Sequence, residues 1–336
     1  MTTFYKPFLL AVFCLWFTFS LRAQDNRTIY LGKVPNVMAA YKANLNQTNA
    51  AGGTNKISYA LPGQAPLVLT VKKNKKEGKN EVFTGQANSG KNNYFFLKAE
   101  DSKVSGYVIL KDQKKAYEYS SVSGEVYLKE VNIDKVLCLN YEPAKGKAVS
   151  APSPTTNAVA AVPNLQSLPG AKAVIYLDFD GEKVNSIYWN AGNEIDAKPA
   201  DLSESEIVEV WKLISEDFRP FAVNITTSLT VYKNAPANRR MRVIFTPTDD
   251  AGPGYGGVAY VGSYTWGDDT PCWVFNSGVK GAGEAGSHEA GHTLGLSHDG
   301  RTSPVEEYYA GRDSWAPIMG VVYFLVLVQC CKGEYS

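Results

Sequence analysis

The segment HEAGHTLGLSHDG, residues 288–300, limits what this chain can fold into more than any other stretch. The chain has three histidines, and all of them fall within it. On a helix, His288 and His292 are four residues apart and share one side, close enough to hold a common ion. Neutral imidazole is a good ligand for zinc. Glu289 follows the first histidine and can point at a water on the ion without binding the ion itself. Gly295 lets the chain turn away after the helix, because glycine accepts backbone angles that other residues avoid. His298 then returns from the turn as a third ligand. Three protein ligands leave a coordination position open, as in a catalytic site and unlike a closed structural one. Scattered surface or core histidines would not share this spacing, so that alternative is weak.

The sequence around this segment predicts a mixed α/β domain. Residues 173–179 read as a buried strand. Ser203 and Glu206 form a capping-box pattern. Ile207, Val210, Trp211, Ile214 and Phe218 follow at helical spacing, and Pro220 stops the helix. Residues 223–227, 241–245, 258–261 and 272–275 read as further strands before the histidine helix. Strand, helix, several strands and a last helix imply a twisted mixed sheet. Residues 24–148 are different. Short runs rich in Val, Tyr, Phe and Leu alternate with Gly, Asn, Asp, Ser and Lys, which predicts a β-rich domain. Residues 149–163, VSAPSPTTNAVAAVP, are small, uncharged and proline-bearing, and read as an exposed linker open to proteolysis.

The pattern HExxHxxGxxHD resembles the metzincin clan of zinc endopeptidases, and Asp299 after the third histidine resembles its adamalysin (reprolysin-like) and some bacterial branches. The segment SWAPIMG, residues 314–320, is similar to the methionine turn of that clan and places Met319 beneath the histidines. The resemblance covers roughly residues 170–320. It implies a catalytic domain over residues 164–336, zinc on His288, His292 and His298, and Glu289 as general base. Gly295, Asp299 and Met319 are implied as structural support. A protein or peptide substrate is expected to lie extended along an edge strand, for which residues 257–261 are the candidate. A β-rich N-terminal domain, a cleavable linker and a protease domain together imply a zymogen. Cys138 is then a candidate latency switch whose thiolate takes the open metal position, although KVLCLNYEP does not match the known switch motif of the clan.

Residues 1–23 read as a signal peptide, with Lys6 ahead of a short apolar run and Ala23 at the cleavage point. The expected location is therefore extracellular, with no membrane span once the signal is removed. The net charge of +1 gives no reason to expect nucleic acid as a partner. Beyond the signal, Cys138, Cys272, Cys330 and Cys331 are too few for a disulfide scaffold. Cys138 and Cys272 either bridge or stay free. Asp249, Asp250, Asp268 and Asp269 are candidate calcium ligands but read more naturally as turn formers, and Asn26, Asn46 and Asn224 head glycosylation triplets. After Met319 the chain departs from the clan. The apolar run 321–328 is expected to be a buried strand or a truncated or frameshifted end. The competing function is an extracellular adhesin or interaction protein that binds zinc without competent catalysis.

Overall fold

A computed structural model describes residues 28–49, 56–77, 79–90, 93–138, 162–275, 278–302, 305–306, 309, 315–320 and 327–329. The signal segment 1–23, most of the linker and the cysteines at 330–331 lie outside these residues.

The fold is mixed α/β and rich in strands. Its N-terminal part is a curled antiparallel sheet of eight strands. They are β1 (Thr28–Lys33), β2 (Ile57–Tyr59), β3 (Leu67–Glu77), β4 (Asn80–Ala87), β5 (Asn93–Glu100), β6 (Lys103–Leu110), β7 (Lys115–Val122) and β8 (Glu125–Val131). The spatial order is β1-β8-β7-β6-β5-β4-β3-β2. One helix, α1 (Val34–Asn49), packs into it. This helix departs from the purely β expectation for residues 24–148. Its signal was present in the sequence: Val34, Val37, Met38 and Tyr41 recur at helical spacing and are all buried. Pro35 is tolerated in the first turn, where its missing N–H has no partner to lose.

The second part is built on a five-stranded sheet. Strands β9 (Ala173–Asp178), β12 (Val223–Thr226), β13 (Arg240–Phe245) and β15 (Cys272–Val274) run parallel, and β14 (Gly257–Val258) runs antiparallel at one edge. The expected mixed sheet is thus present. A small hairpin of β10 (Glu182–Val184) and β11 (Ile195–Ala197) precedes α2 (Glu204–Asp217). The predicted capping box forms, with the Ser203 side chain accepting from the Glu206 amide while the Glu206 carboxylate accepts from the Ser203 amide. A short α3 (Leu229–Asn234) and the long α4 (Val279–Thr293) complete the helices. Two further pairs follow: β16 (Arg301–Thr302) with β17 (Val305–Glu306), and β18 (Trp315–Pro317) with β19 (Leu327–Gln329). The apolar run 321–328 therefore supplies the start of β19.

Period-two alternation sorts the side chains of the second sheet into two cores. Met241, Val243, Phe245, Cys272 and Val274 join Ile207, Val210 and Ile214 of α2 and Ala282 and Ala285 of α4. Ile244 and Trp273 point the other way, into a cluster with Tyr94, Phe96, Ile109 and Ala116 of the N-terminal sheet. The two halves thus share a buried apolar interface. Tyr260 Oη donates to the Tyr188 carbonyl at 2.9 Å, so Tyr94 Oη is the donor in its 2.8 Å bond to Tyr260 Oη across that interface.

Several open expectations resolve here. Cys138 and Cys272 are both buried and do not form a disulfide. Asp249 accepts from the Gly254 amide and Asp268 from the Thr270 amide, which are turn roles, while Asp269 pairs with Arg240 at 2.6 Å. Asn224 is buried and its side chain accepts from the Leu168 amide, so it is no glycosylation acceptor in this fold. Among the described residues, no helix is long and apolar enough to cross a membrane.

Candidate metal centre

Helix α4 carries His288, Glu289 and His292, all three with no measurable exposure. Its position is fixed from several sides. The Ser287 hydroxyl donates to Asp217 at the end of α2, 2.6 Å away. Gly291 faces Met319, whose sulfur lies 2.8 Å from where a Cβ would stand. Met319 is therefore packed directly against the histidine helix. The helix ends at Gly295, which takes φ +97°, a conformation costly for any residue with a Cβ. The chain then turns and brings His298 back. The Asp299 amide donates to the Met319 carbonyl at 2.8 Å, which ties this return to the methionine turn.

The three imidazoles converge. His292 Nε2 lies 3.0 Å from His288 Nε2 and 3.0 Å from His298 Nε2. Their protonation follows from their other nitrogens. His288 Nδ1 is 2.8 Å from the Ile318 carbonyl and His292 Nδ1 is 2.8 Å from the Leu296 carbonyl. A carbonyl only accepts, so both Nδ1 atoms carry the proton. Burial, helped by the neighbouring imidazoles, holds His288 well below the ordinary histidine range. Burial also lowers His292 to about 4 and, with His292 beside it, His298 to about 3. The rings are thus neutral, and the Nε2 atoms of His288 and His292 present bare lone pairs to each other. Two lone pairs at 3.0 Å repel unless a cation lies between them. A backbone carbonyl accepting from Nδ1 is a usual means of orienting a metal-ligating histidine.

Cys138 completes the cluster from the N-terminal part of the chain. Its Sγ lies 3.8 Å from His288 Nε2 and 3.6 Å from His298 Nε2. The four ligand atoms all lie within 4.8 Å of one another, and among the described residues this is the one group of His, Cys, Asp and Glu spaced to hold a metal ion. The donors and their spacing fit such an ion.

Glu289 sits beside this cluster with both carboxylate oxygens buried next to the Cys138 thiol. Burial pushes its carboxyl well above the ordinary range, with only the Cys138 thiol acting against the shift. Glu289 also packs onto the sheet edge: a Cβ at Gly257 would lie 2.7 Å from both Cγ and Oε1 of Glu289. At the far end of the same edge, the Gly262 amide donates to the His292 carbonyl at 2.9 Å. Residues 257–262 are therefore fastened to the histidine helix at both ends.

Every residue singled out in the motif lies in this one locality, and Cys138 joins them over 150 residues of sequence separation. Three further residues belong to it whose roles the sequence did not assign: Gly257 as the seat for Glu289, and Ile318 and Leu296, whose carbonyls orient His288 and His292. No known protein family matches the chain, and no curated protein is significantly similar to it.

Proposed function

We propose that this chain is an exported zinc endopeptidase of metzincin type, held latent by its own N-terminal half. The observation that carries the reading is the convergence of three neutral imidazole Nε2 atoms beside a buried carboxyl group. In tetrahedral zinc sites, Zn–N of about 2.0–2.1 Å and Zn–S of about 2.3 Å put the ligand atoms roughly 3.3–3.6 Å apart. Neighbouring separations of 3.0–3.8 Å bracket that frame, and all four ligand atoms lie within 4.8 Å of one another. Zinc, when bound, polarises a substrate carbonyl and lowers the pKa of water.

The remaining chemistry belongs to the chain itself. His288, His292 and His298 hold the ion, with the Ile318 and Leu296 carbonyls fixing two of the rings. Glu289 takes the proton of the attacking water and passes it to the leaving amine. Cys138 would add a fourth donor to the three imidazoles and exclude water from the ion, which would keep the intact chain inactive. The edge at residues 257–261 offers its backbone to an extended peptide.

The test replaces Glu289 by alanine in protein activated by removal of the N-terminal half. Zinc content should stay at one ion per chain while casein hydrolysis falls by about 10²-fold or more. Casein hydrolysis that survives with zinc still bound would remove Glu289 from the base role. Full zinc loading without hydrolysis by the unsubstituted activated protein would favour the interaction protein.

A further inference from the structure

The N-terminal half does more than deliver a cysteine. Val136 ends a helical turn that starts at Ile133, and from it Leu137 and Cys138 run along the sheet edge. Leu137 pairs with Tyr260 in an antiparallel bridge. The Cys138 amide donates to the Ala259 carbonyl at 3.1 Å, and the Val261 amide donates to the Val136 carbonyl at 3.0 Å. These two bonds flank the 137/260 pair as they do in a regular antiparallel ladder. This lane is the one that the proposed peptide substrate would need.

We infer that the segment Val136–Cys138 occupies the substrate lane in the antiparallel direction expected of a substrate, and that the cysteine thiolate keeps this built-in inhibitor from being cleaved. The inference rests on the endopeptidase reading. Three features of the geometry carry it. First, the edge is fastened to the histidine helix at Gly257 and Gly262, so a strand laid on it passes the metal ligands at a fixed height. Second, antiparallel pairing is the more stable ladder, and a peptide entering the vacated lane gains the same two backbone bonds. Third, the Val136 carbonyl and the Cys138 amide are engaged by the edge strand. By the alternation of an antiparallel pair, the Leu137 carbonyl faces away from that strand.

The lane also indicates a substrate class. Leu137 is fully buried, in the cluster that holds Val258, Tyr260 and Trp273 of the catalytic half. A peptide with a leucine-like aliphatic residue at this place fills the same apolar surroundings. The bond following Leu137 is then the one presented for hydrolysis. Water oxygen joins the carbonyl carbon, the C–N bond breaks, and the proton passes to the new amine, with no change of oxidation state.

The experiment uses the full zinc-loaded chain with Cys138→Ala, and Cys138→Ser as a second variant in case the first fails to fold. Intact-mass measurement should show self-cleavage on the carboxyl side of residue 137, absent when Glu289→Ala is added. Hydrogen exchange on the uncut, unsubstituted chain supplies a readout independent of activity: the Val261 amide should be protected with zinc and after chelation. If the variants digest casein but cut themselves only elsewhere, or if Val261 exchanges freely, the substrate-like lane is wrong and the protease reading survives. If metal-loaded variants digest neither casein nor themselves, both readings fall.

Discussion

Glu289 shows how much a single glycine can decide at this site. Its carboxylate rests where a Cβ on Gly257 would have to be, 2.7 Å away, and the neighbouring atoms are those of a fully buried side chain with no room to retreat. Gly257→Ala should therefore displace the carboxylate while leaving the three histidines in place. Metal content should be unchanged and hydrolysis by the activated protein reduced by about 10²-fold, the scale of a lost general base. Undiminished hydrolysis would mean that the carboxylate does not act from this position. At this scale the sequence was informative where chemistry is local. His288, Glu289 and His292 are fixed by helical spacing, and Gly295 by the turn it must make. The partnership of Cys138 was only a candidate, because KVLCLNYEP carries no local signal. Its place is set by a pairing between residues 137 and 260 that only the tertiary fold creates. Gly257 was likewise just one of several glycines until Glu289 was seen against it.

Helix α4 is stable in spite of its composition. Its sequence VKGAGEAGSHEAGHT contains four glycines, which individually weaken a helix by up to about 1 kcal/mol each. Tertiary packing on α2 and β13 overrides this, since Gly286 lies where a Cβ would meet Ile214 and Phe245 within 3 Å. The helix also carries a buried acid. Burial pushes Glu284 up to about 7, against the opposing Lys280 amine 3.6 Å away. The folded chain thus prefers the protonated acid, and the unfolded chain releases its proton near 4.5. The associated stability is complete below about 4.5 and is lost as pH rises toward 7. Glu284→Gln should match the parent protein near pH 4 and exceed it by about 2 kcal/mol at pH 8, measured by denaturant unfolding. Equal stability at both pH values would show that the acid is not held protonated. Capped α2 and the strands of the second sheet were legible because their periodicity and caps lie within single segments. Helix α1 was overlooked inside a region dominated by strand-like runs, although its own spacing is helical.

At the scale of the molecule, the two halves are joined through one apolar cluster and not merely through a linker. Strand β5 sends Phe95 and Leu97 toward α1, and Tyr94 and Phe96 toward Ile244 and Trp273 of the second sheet. The N-terminal sheet is thereby a platform that presses residues 136–138 onto the edge beside the metal ligands. Separate domains were the natural reading of the composition change near residue 149. A shared interface was not legible, because alternation tells which residues share a face but not what covers that face. In the proposed zymogen, latency would follow from construction: the platform holds the segment, the segment holds the thiol, and the thiol closes the site. This account places one sulfur and three nitrogens around a zinc ion in the intact chain. X-ray absorption at the zinc edge on the purified full-length protein tests it directly. The account predicts one sulfur at about 2.3 Å and three nitrogens at about 2.0–2.1 Å, with the sulfur lost in Cys138→Ala. A zinc shell of nitrogen and oxygen alone in the unsubstituted chain would contradict it.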